Sequence, residues 1–269
     1  MNQLTVLVTG GSGGIGLELA RCFARDGAAV VITGRDPAAL AAAAASLGKE
    51  GAAVTALRAE LGRPAGITQL LADLAAAGLV IDVLVNNAGF GAFGPLADSD
   101  PDLGAALTTV HVEAPQRLTR ALLPGMIARR RGGVLNVGSL YSFSGAPYQA
   151  LYGAAKAWVL AFTTAIREEV RGTGVTVTAL CPGTTLSQFR TRHGHVDRAS
   201  WLTLTSAEVA QAGYRGFQRN RSVVVPGFSS KLYAFATRLL PRGAMGRFVS
   251  FSAYRLRRMA AARTGDHAS

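Results

Sequence analysis

Short apolar runs rich in β-branched residues alternate with longer stretches of helical periodicity along the 269-residue chain. The first run covers residues 4–9 and leads directly into apolar residues at helical spacing. Later runs repeat the arrangement near residues 28–33, 53–58, 82–85, 133–138, 174–180 and 221–225. Because strands that alternate with helices pair in parallel, the pattern predicts an α/β fold with one doubly wound parallel sheet and helices on both faces.

The length of the chain is that of one domain with an ample core. We expect this domain to cover residues 1–228 and a basic helical extension, residues 229–269, to pack on it. The first strand begins by Leu4, which leaves no room for a signal peptide, and no apolar stretch reaches the ~18–20 residues that span a bilayer. The two cysteines, Cys22 and Cys181, do not suggest a disulfide framework, so a cytoplasmic location is expected.

A glycine-rich turn follows the first strand, and a helical pattern follows the turn. Glycines let the backbone there approach a pyrophosphate, whose charge then faces the amino-terminal end of the helix. The strand before and the helix after distinguish this segment from an ordinary glycine turn. The predicted cofactor contacts in it are Gly10, Ser12, Gly13, Gly14, Ile15 and Gly16.

The second strand ends at Gly34 and Arg35, about 20 residues after the turn, where an acidic residue would hold the ribose 2′-hydroxyl of NAD. Arg35 instead offers a cation to a 2′-phosphate. Asp36 is a competing candidate, but with Pro37 behind it this residue is typical of a helix N-cap. The sequence therefore favours NADP(H) over NAD(H), with a solvated surface charge as the other interpretation of Arg35.

Tyr152 and Lys156 lie four residues apart and follow Ser139. On a helix the two share a face, where the ammonium can lower the pKa of the phenol from about 10. A phenol with a lowered pKa can exchange a proton with an alcohol or a carbonyl near neutral pH. Tyr-x-x-x-Lys is common on ordinary helices, so this interpretation depends on the other motifs.

These motifs, in this order and at this spacing, resemble those of the short-chain dehydrogenase/reductase family over roughly residues 4–225. The matching segments are Thr9-Gly-Gly-Ser-Gly-Gly-Ile-Gly16, Asn86-Asn-Ala-Gly89, Asn136-Val-Gly-Ser139, Tyr152-x-x-x-Lys156 and Cys181-Pro-Gly183. The resemblance implies a single Rossmann-like domain, a nicotinamide cofactor, and hydride transfer between an alcohol and a carbonyl.

The resemblance also implies roles for individual residues. Tyr152 would be the general acid/base, Lys156 would lower its pKa and bind the nicotinamide ribose, and Ser139 would hold the substrate oxygen. Asn86 and its neighbours would line the cofactor site. The further cofactor contacts that the resemblance implies are Glu60, Leu61, Asn87, Ala88, Gly89, Pro182, Gly183, Thr185 and Ser187, together with Tyr152 and Lys156.

Two positions depart from the family pattern. His111 stands where the family has an Asn whose main-chain carbonyl helps hold a water of the proton relay. The change can be tolerated, the imidazole can itself join the relay because it titrates near neutrality, or catalysis can be impaired. Glu60 and Leu61 replace an Asp-Leu pair that contacts the adenine, and the extra methylene of Glu changes the fit.

The formal net charge of +12 is concentrated in residues 186–269, which contain 14 Lys+Arg against 3 Asp+Glu. A basic region of this kind can attract an anionic membrane, an acidic carrier protein or a phosphorylated substrate, or it can reflect compositional bias. Residues 231–240 and 248–259 mix bulky apolar groups with arginines and predict two short helices. They could lie on a membrane, close the substrate pocket or bury a subunit interface, and the expected assembly is a homo-oligomer. No motif supports nucleic-acid binding.

Aromatic residues crowd the segments expected around the nicotinamide, namely Phe90, Phe93, Tyr141, Phe143, Tyr148, Phe189 and Trp201. They favour a hydrophobic ketone or alcohol as substrate, unless several fill the core. His193 and His195 match no established metal site, and no metal is expected. The sequence thus predicts an NADP(H)-dependent oxidoreductase; the alternatives are an epimerase or isomerase of the same family, and a cofactor-binding partner protein impaired by His111.

Overall fold

A computed structural model describes residues 3–186 and 203–239. Seven parallel strands form one sheet in the order β3-β2-β1-β4-β5-β6-β9. These strands are β1 (Thr5–Val8), β2 (Ala29–Gly34), β3 (Val54–Arg58), β4 (Val83–Asn86), β5 (Gly133–Val137), β6 (Thr176–Leu180) and β9 (Val223–Val224). The prediction of a parallel sheet is confirmed, and each strand lies within a few residues of its predicted position.

Eight α-helices connect and cover the strands in the described residues. They are α1 (Gly14–Arg25), α2 (Pro37–Lys49), α3 (Pro64–Ala76), α4 (Pro101–Thr108), α5 (Ala114–Arg129), α6 (Ala150–Glu169), α7 (Ser206–Gln218) and α8 (Phe228–Leu239). Helix α2 begins as predicted, because the Asp36 side chain accepts hydrogen bonds from the backbone N–H groups of Ala38 and Ala39 and Pro37 takes the first helical position.

The sheet separates two hydrophobic cores. Side chains of α1, α2 and α7 pack on one face, where Leu19, Leu47 and Val209 are fully buried. Helices α3, α5 and α6 cover the other face, around Ile67, Leu118 and Ile166. Because successive side chains of a strand point to opposite faces, a run buried on both sides has to be apolar throughout, which explains the continuous apolar runs in the sequence.

The direction of the strand order reverses between β1 and β4. In open α/β sheets a ligand binds at the carboxyl ends of the strands beside such a reversal. The glycine-rich turn follows β1, and the segment Asn87 to Gly89 follows β4, so both predicted cofactor segments lie at this point.

Several short elements were not predicted from the sequence. One is a π-turn, Thr109–Glu113, between α4 and α5, and another is a 3₁₀ turn, Leu140–Ser142, after β5. Strands β7 (Thr185–Leu186) and β8 (Leu204–Thr205) pair with each other in a separate two-stranded sheet. Two-residue strands carry too little periodicity to be recognised in a sequence.

Some predicted features lie outside the described residues. They are Ser187, Phe189, His193, His195, Trp201 and the extension from residue 240 onward. The predicted helix at 231–240 corresponds to α8, which begins three residues earlier, at Phe228. Within residues 3–186 and 203–239, no helix combines the length and the apolar character needed to cross a membrane.

Candidate active site

The glycine-rich turn forms a cradle between β1 and α1. Gly10 has φ +64°, a conformation that favours glycine, and a Cβ at Gly16 would lie 2.3 Å from the Gly10 carbonyl oxygen. Gly13 precedes α1 and a Cβ there would meet no atom within 4 Å, so the space above it is open. No side chain caps α1 and no acidic residue stands in its first turn. The N–H groups without a side-chain cap and the open space at Gly13 fit a pyrophosphate.

Asn87 and Thr9 fasten this cradle to the end of β4. The Asn87 side-chain amide donates to the carbonyl oxygens of Thr9 and Gly10, at 3.0 and 3.1 Å. The buried Thr9 hydroxyl accepts from the backbone N–H groups of Asn87 and Ala88, at 2.9 and 3.0 Å. The two cofactor segments therefore form one hydrogen-bonded unit. The sequence did not predict that the Thr9 side chain would join them.

The Asn86 side chain is turned away from the cleft, into the protein interior. Its amide donates to the Asn136 carbonyl oxygen at 2.8 Å and to the Thr119 hydroxyl at 3.3 Å. Asn136 in turn donates to the Thr163 hydroxyl at 2.9 Å. The Asn86 side chain therefore belongs to a buried network that joins β4, β5 and α6, and a place for this residue in the cofactor site stays a prediction.

Two cations lie where a 2′-phosphate would be expected. Arg35 is exposed after β2. A Cβ at Gly34 would approach the Ser12 hydroxyl to 2.9 Å, so the absence of a side chain at Gly34 leaves space beside the glycine-rich turn. Arg58, at the end of β3, is the register partner of Gly34, and its guanidinium donates to the Arg35 carbonyl oxygen at 3.3 Å. The sequence did not single out Arg58, because only strand pairing brings it next to Arg35.

The Glu60–Leu61 pair divides between surface and core. The Glu60 carboxylate is exposed and accepts from the backbone N–H of Gly62 at 3.3 Å, while Leu61 is buried among the residues under α3. A Cβ at Gly66 would lie 2.1 Å from the Glu60 carbonyl oxygen, so the start of α3 holds this loop in place. Glu60 is thus available at the surface beside the end of β3.

Ser139, Tyr152 and Lys156 meet in one place. Ser139 follows β5, and its side chain shares a hydrogen bond with the Tyr152 hydroxyl that favours the ionised phenol. Lys156 is buried on α6, with its ammonium nitrogen 5.7 Å from the centre of the Tyr152 ring and 2.6 Å from the Val137 carbonyl oxygen to which it donates. The three residues that the sequence singled out therefore share one cleft beside the glycine-rich turn.

The electrostatics of this group differ from the sequence-based expectation. Desolvation of the hydroxyl raises the pKa of Tyr152 to about 12, in spite of the hydrogen bond from Ser139. Burial likewise lowers the pKa of Lys156 to about 8. The Tyr152 pKa therefore lies above its ordinary value, opposite to the direction expected from the sequence, because desolvation is its largest influence and the Lys156 ammonium donates to Val137.

The loop that carries Ser139 is held by α6. Ser139 accepts from the Tyr141 N–H at 3.2 Å, and its own N–H donates to the Ser142 hydroxyl at 3.1 Å. Ser142 then donates to the Lys156 carbonyl oxygen at 2.7 Å. This chain of hydrogen bonds fixes Ser139 relative to the helix that supplies Tyr152 and Lys156.

His111 lies in the π-turn between α4 and α5, next to the Tyr152 ring. The two ring centres are 5.4 Å apart in an edge-to-face arrangement, and the exposed fraction of His111 is 2%. Its Nε2 lies 2.7 Å from the Phe90 carbonyl oxygen; because a carbonyl only accepts, Nε2 carries the hydrogen. Burial, with a smaller effect of the Lys156 charge, lowers the pKa of His111 to about 3, so the ring is neutral near pH 7.

The same imidazole explains the glycine that follows Ala88. A Cβ at Gly89 would lie 2.1 Å from the Cε1 atom of His111, so the ring occupies the space that a side chain would need. His111 thus packs against the segment after β4 at Gly89 and donates to it at Phe90. The interpretation in which His111 titrates near neutrality conflicts with its burial.

The segment after β6 packs against the loop that carries Ser139. The Pro182 carbonyl accepts from the Leu140 N–H at 2.9 Å, and the buried Thr185 hydroxyl donates to the Gly183 carbonyl at 3.1 Å. Cys181 is fully buried beside Ser142 and Lys156, and burial raises the pKa of its thiol to about 11. Pro182, Gly183 and Thr185 are therefore beside the catalytic group, whereas Ser187 lies outside the described residues.

Several of the predicted aromatic residues pack in ring pairs, one of which includes Tyr152. The Tyr141 and Tyr152 ring centres are 6.3 Å apart, and the Phe93 and Tyr148 ring centres are 6.0 Å apart. Tyr148 has φ +65°, an uncommon backbone conformation for a bulky residue, while its carbonyl accepts from the Gly94 N–H at 2.8 Å. Phe143 instead lies under α8, where it lines a hollow of about 210 Å³.

The chain is similar to known proteins over most of its length. The family model for short chain dehydrogenase matches residues 4–196. A curated relative, dehydrogenase/reductase SDR family member 7B of Rattus norvegicus, is 28% identical over 257 residues, which are 90% of this chain and 79% of the relative.

Two solved structures share the fold over most of the chain. A short-chain dehydrogenase from Sphingobium yanoikuyae in complex with NADPH is 32% identical with a TM-score of 0.78, covering 90% of this chain and 95% of its own. A bulky-bulky ketone specific alcohol dehydrogenase from Comamonas testosteroni is 25% identical with a TM-score of 0.75, covering 97% of this chain and 95% of its own.

Proposed function

Since the chain belongs to the short-chain dehydrogenase family and is an oxidoreductase of that family, we propose that it transfers a hydride between NADP(H) and a hydrophobic carbonyl or alcohol. The observation that carries this proposal is the cluster of Ser139, Tyr152 and Lys156 beside the open cradle at Gly13. When bound there, the nicotinamide cofactor supplies the hydride. The chain supplies the proton and holds the substrate oxygen.

Tyr152 is prepared to act as a general acid. Because its pKa is about 12, the hydroxyl is protonated at neutral pH and can donate to the alkoxide that forms when a carbonyl is reduced. Ser139, already hydrogen-bonded to Tyr152, orients the same oxygen.

Lys156 stabilises the tyrosinate that remains after this proton transfer. With a pKa of about 8, its ammonium is largely charged at pH 7, and the charge lies 5.7 Å from the centre of the phenol ring. In a desolvated cleft such a charge acts more strongly than in water. Lys156 therefore favours the product of the proton transfer more than the starting phenol.

The decisive experiment is a panel of hydrophobic ketones and aldehydes assayed for NADPH oxidation. We expect turnover of at least one member, and a Tyr152→Phe variant should lose roughly 10²–10⁴-fold in kcat, because no neighbouring group can replace the hydroxyl. Tyr214→Phe is the matched control, since that hydroxyl bonds to Asp26, far from the cleft. Cofactor binding without turnover of any substrate would favour a non-enzymatic binding protein, and epimerisation without net NADPH consumption would favour an isomerase.

The preference for NADP(H) depends on Arg35 and Arg58, which lie side by side at the ends of β2 and β3. A charge-assisted contact to a phosphate is worth on the order of 1.5–3 kcal/mol. The double variant Arg35→Ala/Arg58→Ala should therefore bind NADPH at least about tenfold more weakly and NADH almost unchanged. Arg171→Ala, which removes a cation at the end of α6, is the control. Equal losses for both cofactors would show that the two arginines are ordinary surface charges.

A bulky apolar substrate is supported by the Tyr141 ring, whose centre lies 6.3 Å from that of Tyr152 and offers an apolar surface near the proton donor. The similarity to a bulky-bulky ketone specific enzyme supports the same choice. In the panel, aryl ketones should therefore give higher kcat/KM than sugars of similar size.

A homo-oligomer is the proposed assembly, and analytical ultracentrifugation can measure its mass.

A further inference from the structure

The outer face of α8 exposes large apolar side chains in a continuous row. Phe228, Leu232, Phe235 and Leu239 have exposed fractions of 83%, 58%, 58% and 68%. At ~100° per residue these four positions fall within an arc of roughly 60°, so they form one apolar stripe along the helix. The opposite face of α8 is held to the domain by buried Ser230 and Ala234 and by a hydrogen bond between Tyr233 and Ser144, 2.5 Å long.

A cationic groove adjoins this apolar stripe. It is a hollow of about 450 Å³ between α7, the edge strand β9 and the start of α8, and its basic lining residues are Arg215, Arg219, Arg221 and Lys231. No acidic residue lines the groove in the part of the chain that the structure describes. None of the four cations forms an ion pair with another described residue.

The stripe and the groove form one surface. Lys231 lines both the cationic groove and the smaller hollow under α8, and Arg238 follows it two turns later on the same flank of the helix. The apolar row is therefore bordered along one side by cations. We propose that this surface, α8 with the cationic groove, docks the protein on an anionic phospholipid bilayer.

The arrangement matches the chemistry of a bilayer surface. A helix that lies in the interfacial plane inserts its apolar face among the outer acyl groups, while flanking cations contact the phosphates of anionic headgroups. The sequence of residues 240–269 adds six arginines against one aspartate, with Phe248, Phe251 and Tyr254 among them. The same combination of arginine and aromatic residues thus continues beyond α8.

A second copy of the chain is a poorer occupant of this surface. A two-fold interface is self-complementary, and when its axis runs across α8, so that the two helices are antiparallel, it brings the cationic flank of one stripe against the same flank of its partner. Like charges at an interface oppose association, and the groove offers no carboxylate among the described residues to compensate them. An anionic partner satisfies both the apolar stripe and the cations.

Vesicle flotation of the full-length protein tests the proposal. We expect it to float with vesicles that contain phosphatidylglycerol, to remain unbound with pure phosphatidylcholine, and to dissociate in 0.5 M salt as about a 3–5 Å screening length implies. The variant Leu232→Gln/Phe235→Gln should weaken partitioning at least about tenfold. The variant Arg219→Gln/Arg221→Gln should weaken it about 30-fold, given the usual effect of two cations near an anionic surface.

Matched controls separate the surface from a general change in charge or hydrophobicity. Val80→Gln removes an apolar side chain that is also 58% exposed but lies before β4, and Lys49→Gln/Arg63→Gln removes two cations near the opposite edge of the sheet. Both controls should bind vesicles like the unchanged protein, and thermal unfolding verifies that every variant is folded.

Three outcomes would overturn the proposal. They are absence of binding to anionic vesicles, equal losses in the variants and their controls, and a change in sedimentation mass of the Leu232→Gln/Phe235→Gln variant without any vesicle binding, which would assign the stripe to a second copy. Binding of poly-glutamate in place of vesicles, lost in the arginine variant, would assign the groove to an acidic protein instead.

Discussion

His111 stands at the position of a family Asn, but its buried side chain makes contacts with neighbouring residues. The ring donates to the Phe90 carbonyl, packs on Gly89 and stands edge-on to Tyr152, all of which are structural contacts. With a pKa of about 3 it is neutral over the whole pH range of ordinary assays. These contacts favour the hypothesis that the imidazole positions its neighbours. The main-chain carbonyl of His111 would then keep the role of the family Asn, which is to help hold a water of the proton relay.

The variant His111→Asn should therefore keep kcat within a few-fold or raise it, with an unchanged pH–rate profile between pH 5 and 8. Loss of the Phe90 hydrogen bond and of the ring volume should lower the free energy of unfolding by about 1–3 kcal/mol. Steady-state rates and chemical denaturation of the same preparations measure both effects. An inflection near pH 6.5 that is present in the parent enzyme and absent from the Asn variant would instead place the imidazole in the proton relay.

Lys156 makes the stability of the cofactor-free protein depend on alkaline pH. Its pKa is about 8 in the folded protein against 10.5 ordinarily, so between these values the unfolded chain binds more protons than the folded one. Stability therefore rises with pH in this window, by about 3 kcal/mol at most, because the penalty for burying the charge disappears as Lys156 loses its proton.

Urea denaturation at pH 7, 8, 9 and 10 checks this expectation against Lys156→Met, which lacks the titration. The difference in the free energy of unfolding between the two proteins should move in favour of the parent as the pH rises above 8. A difference that stays constant from pH 7 to 10 would show that Lys156 keeps an ordinary pKa.

Some features of the site followed from the sequence, and others arise only from burial and strand register. The shared face of Tyr152 and Lys156 followed from helical spacing, whereas the role of Ser139 followed from the resemblance to the family. The inward turn of Asn86, the raised pKa of Tyr152 and the proximity of Arg58 to Arg35 depend on burial and strand register. These are tertiary properties, and a one-dimensional pattern does not contain them.

The turn between β1 and α1 contains two glycines in opposite surroundings, one enclosed by neighbouring atoms and one in open space. Gly16 is enclosed, because a Cβ there would have the Gly10 carbonyl oxygen and the Asn87 amide nitrogen within 2.4 Å, whereas a Cβ at Gly13 would meet nothing. Gly16 is thus required by the fold, and the open space at Gly13 is available to a phosphate.

Alanine substitutions should separate these two requirements. Gly16→Ala should lower the free energy of unfolding by several kcal/mol, because the Gly10 backbone cannot yield and the Asn87 amide is held by its two hydrogen bonds. Gly13→Ala should leave unfolding nearly unchanged and weaken NADPH binding at least about tenfold, since the new methyl group occupies the phosphate space. Thermal unfolding and fluorescence titration with NADPH measure the two effects, and a Gly13→Ala protein with unchanged NADPH affinity would contradict the assignment of the cradle.

Strand prediction succeeded because the parallel strands are buried on both faces and read as unbroken apolar runs. The π-turn at Thr109–Glu113 escaped notice, because its residues continue the helical pattern of α4 and α5 without interruption. Since His111 sits in this turn, its orientation could not have been derived from periodicity.

The cofactor site and the basic carboxyl-terminal region are separate in the chain. Every described residue of the cradle and the catalytic group precedes Leu186, while the apolar stripe begins at Phe228. A chain that stops after Leu239 should therefore bind NADPH within about twofold of the full-length protein, yet partition more weakly to anionic vesicles because six arginines are removed.

Fluorescence titration and flotation of the shortened and full-length proteins check these two expectations side by side. A large loss of NADPH affinity in the shortened chain would show that residues 240–269 contribute to the cofactor site. Equal flotation of both proteins would confine membrane contact to α8 and the cationic groove.

Cys181 gives the active site an internal reporter of its own motion. Only a thiolate reacts with alkylating reagents, and this thiol is fully buried with a pKa of about 11, so its modification requires the segment beginning at Pro182 to open. Cys22, only partly buried on α1, offers a second thiol in the same molecule for comparison. The rate of iodoacetamide labelling at Cys181 therefore measures how often the cleft opens, and its slowing by NADPH would measure how firmly the cofactor holds that cleft shut.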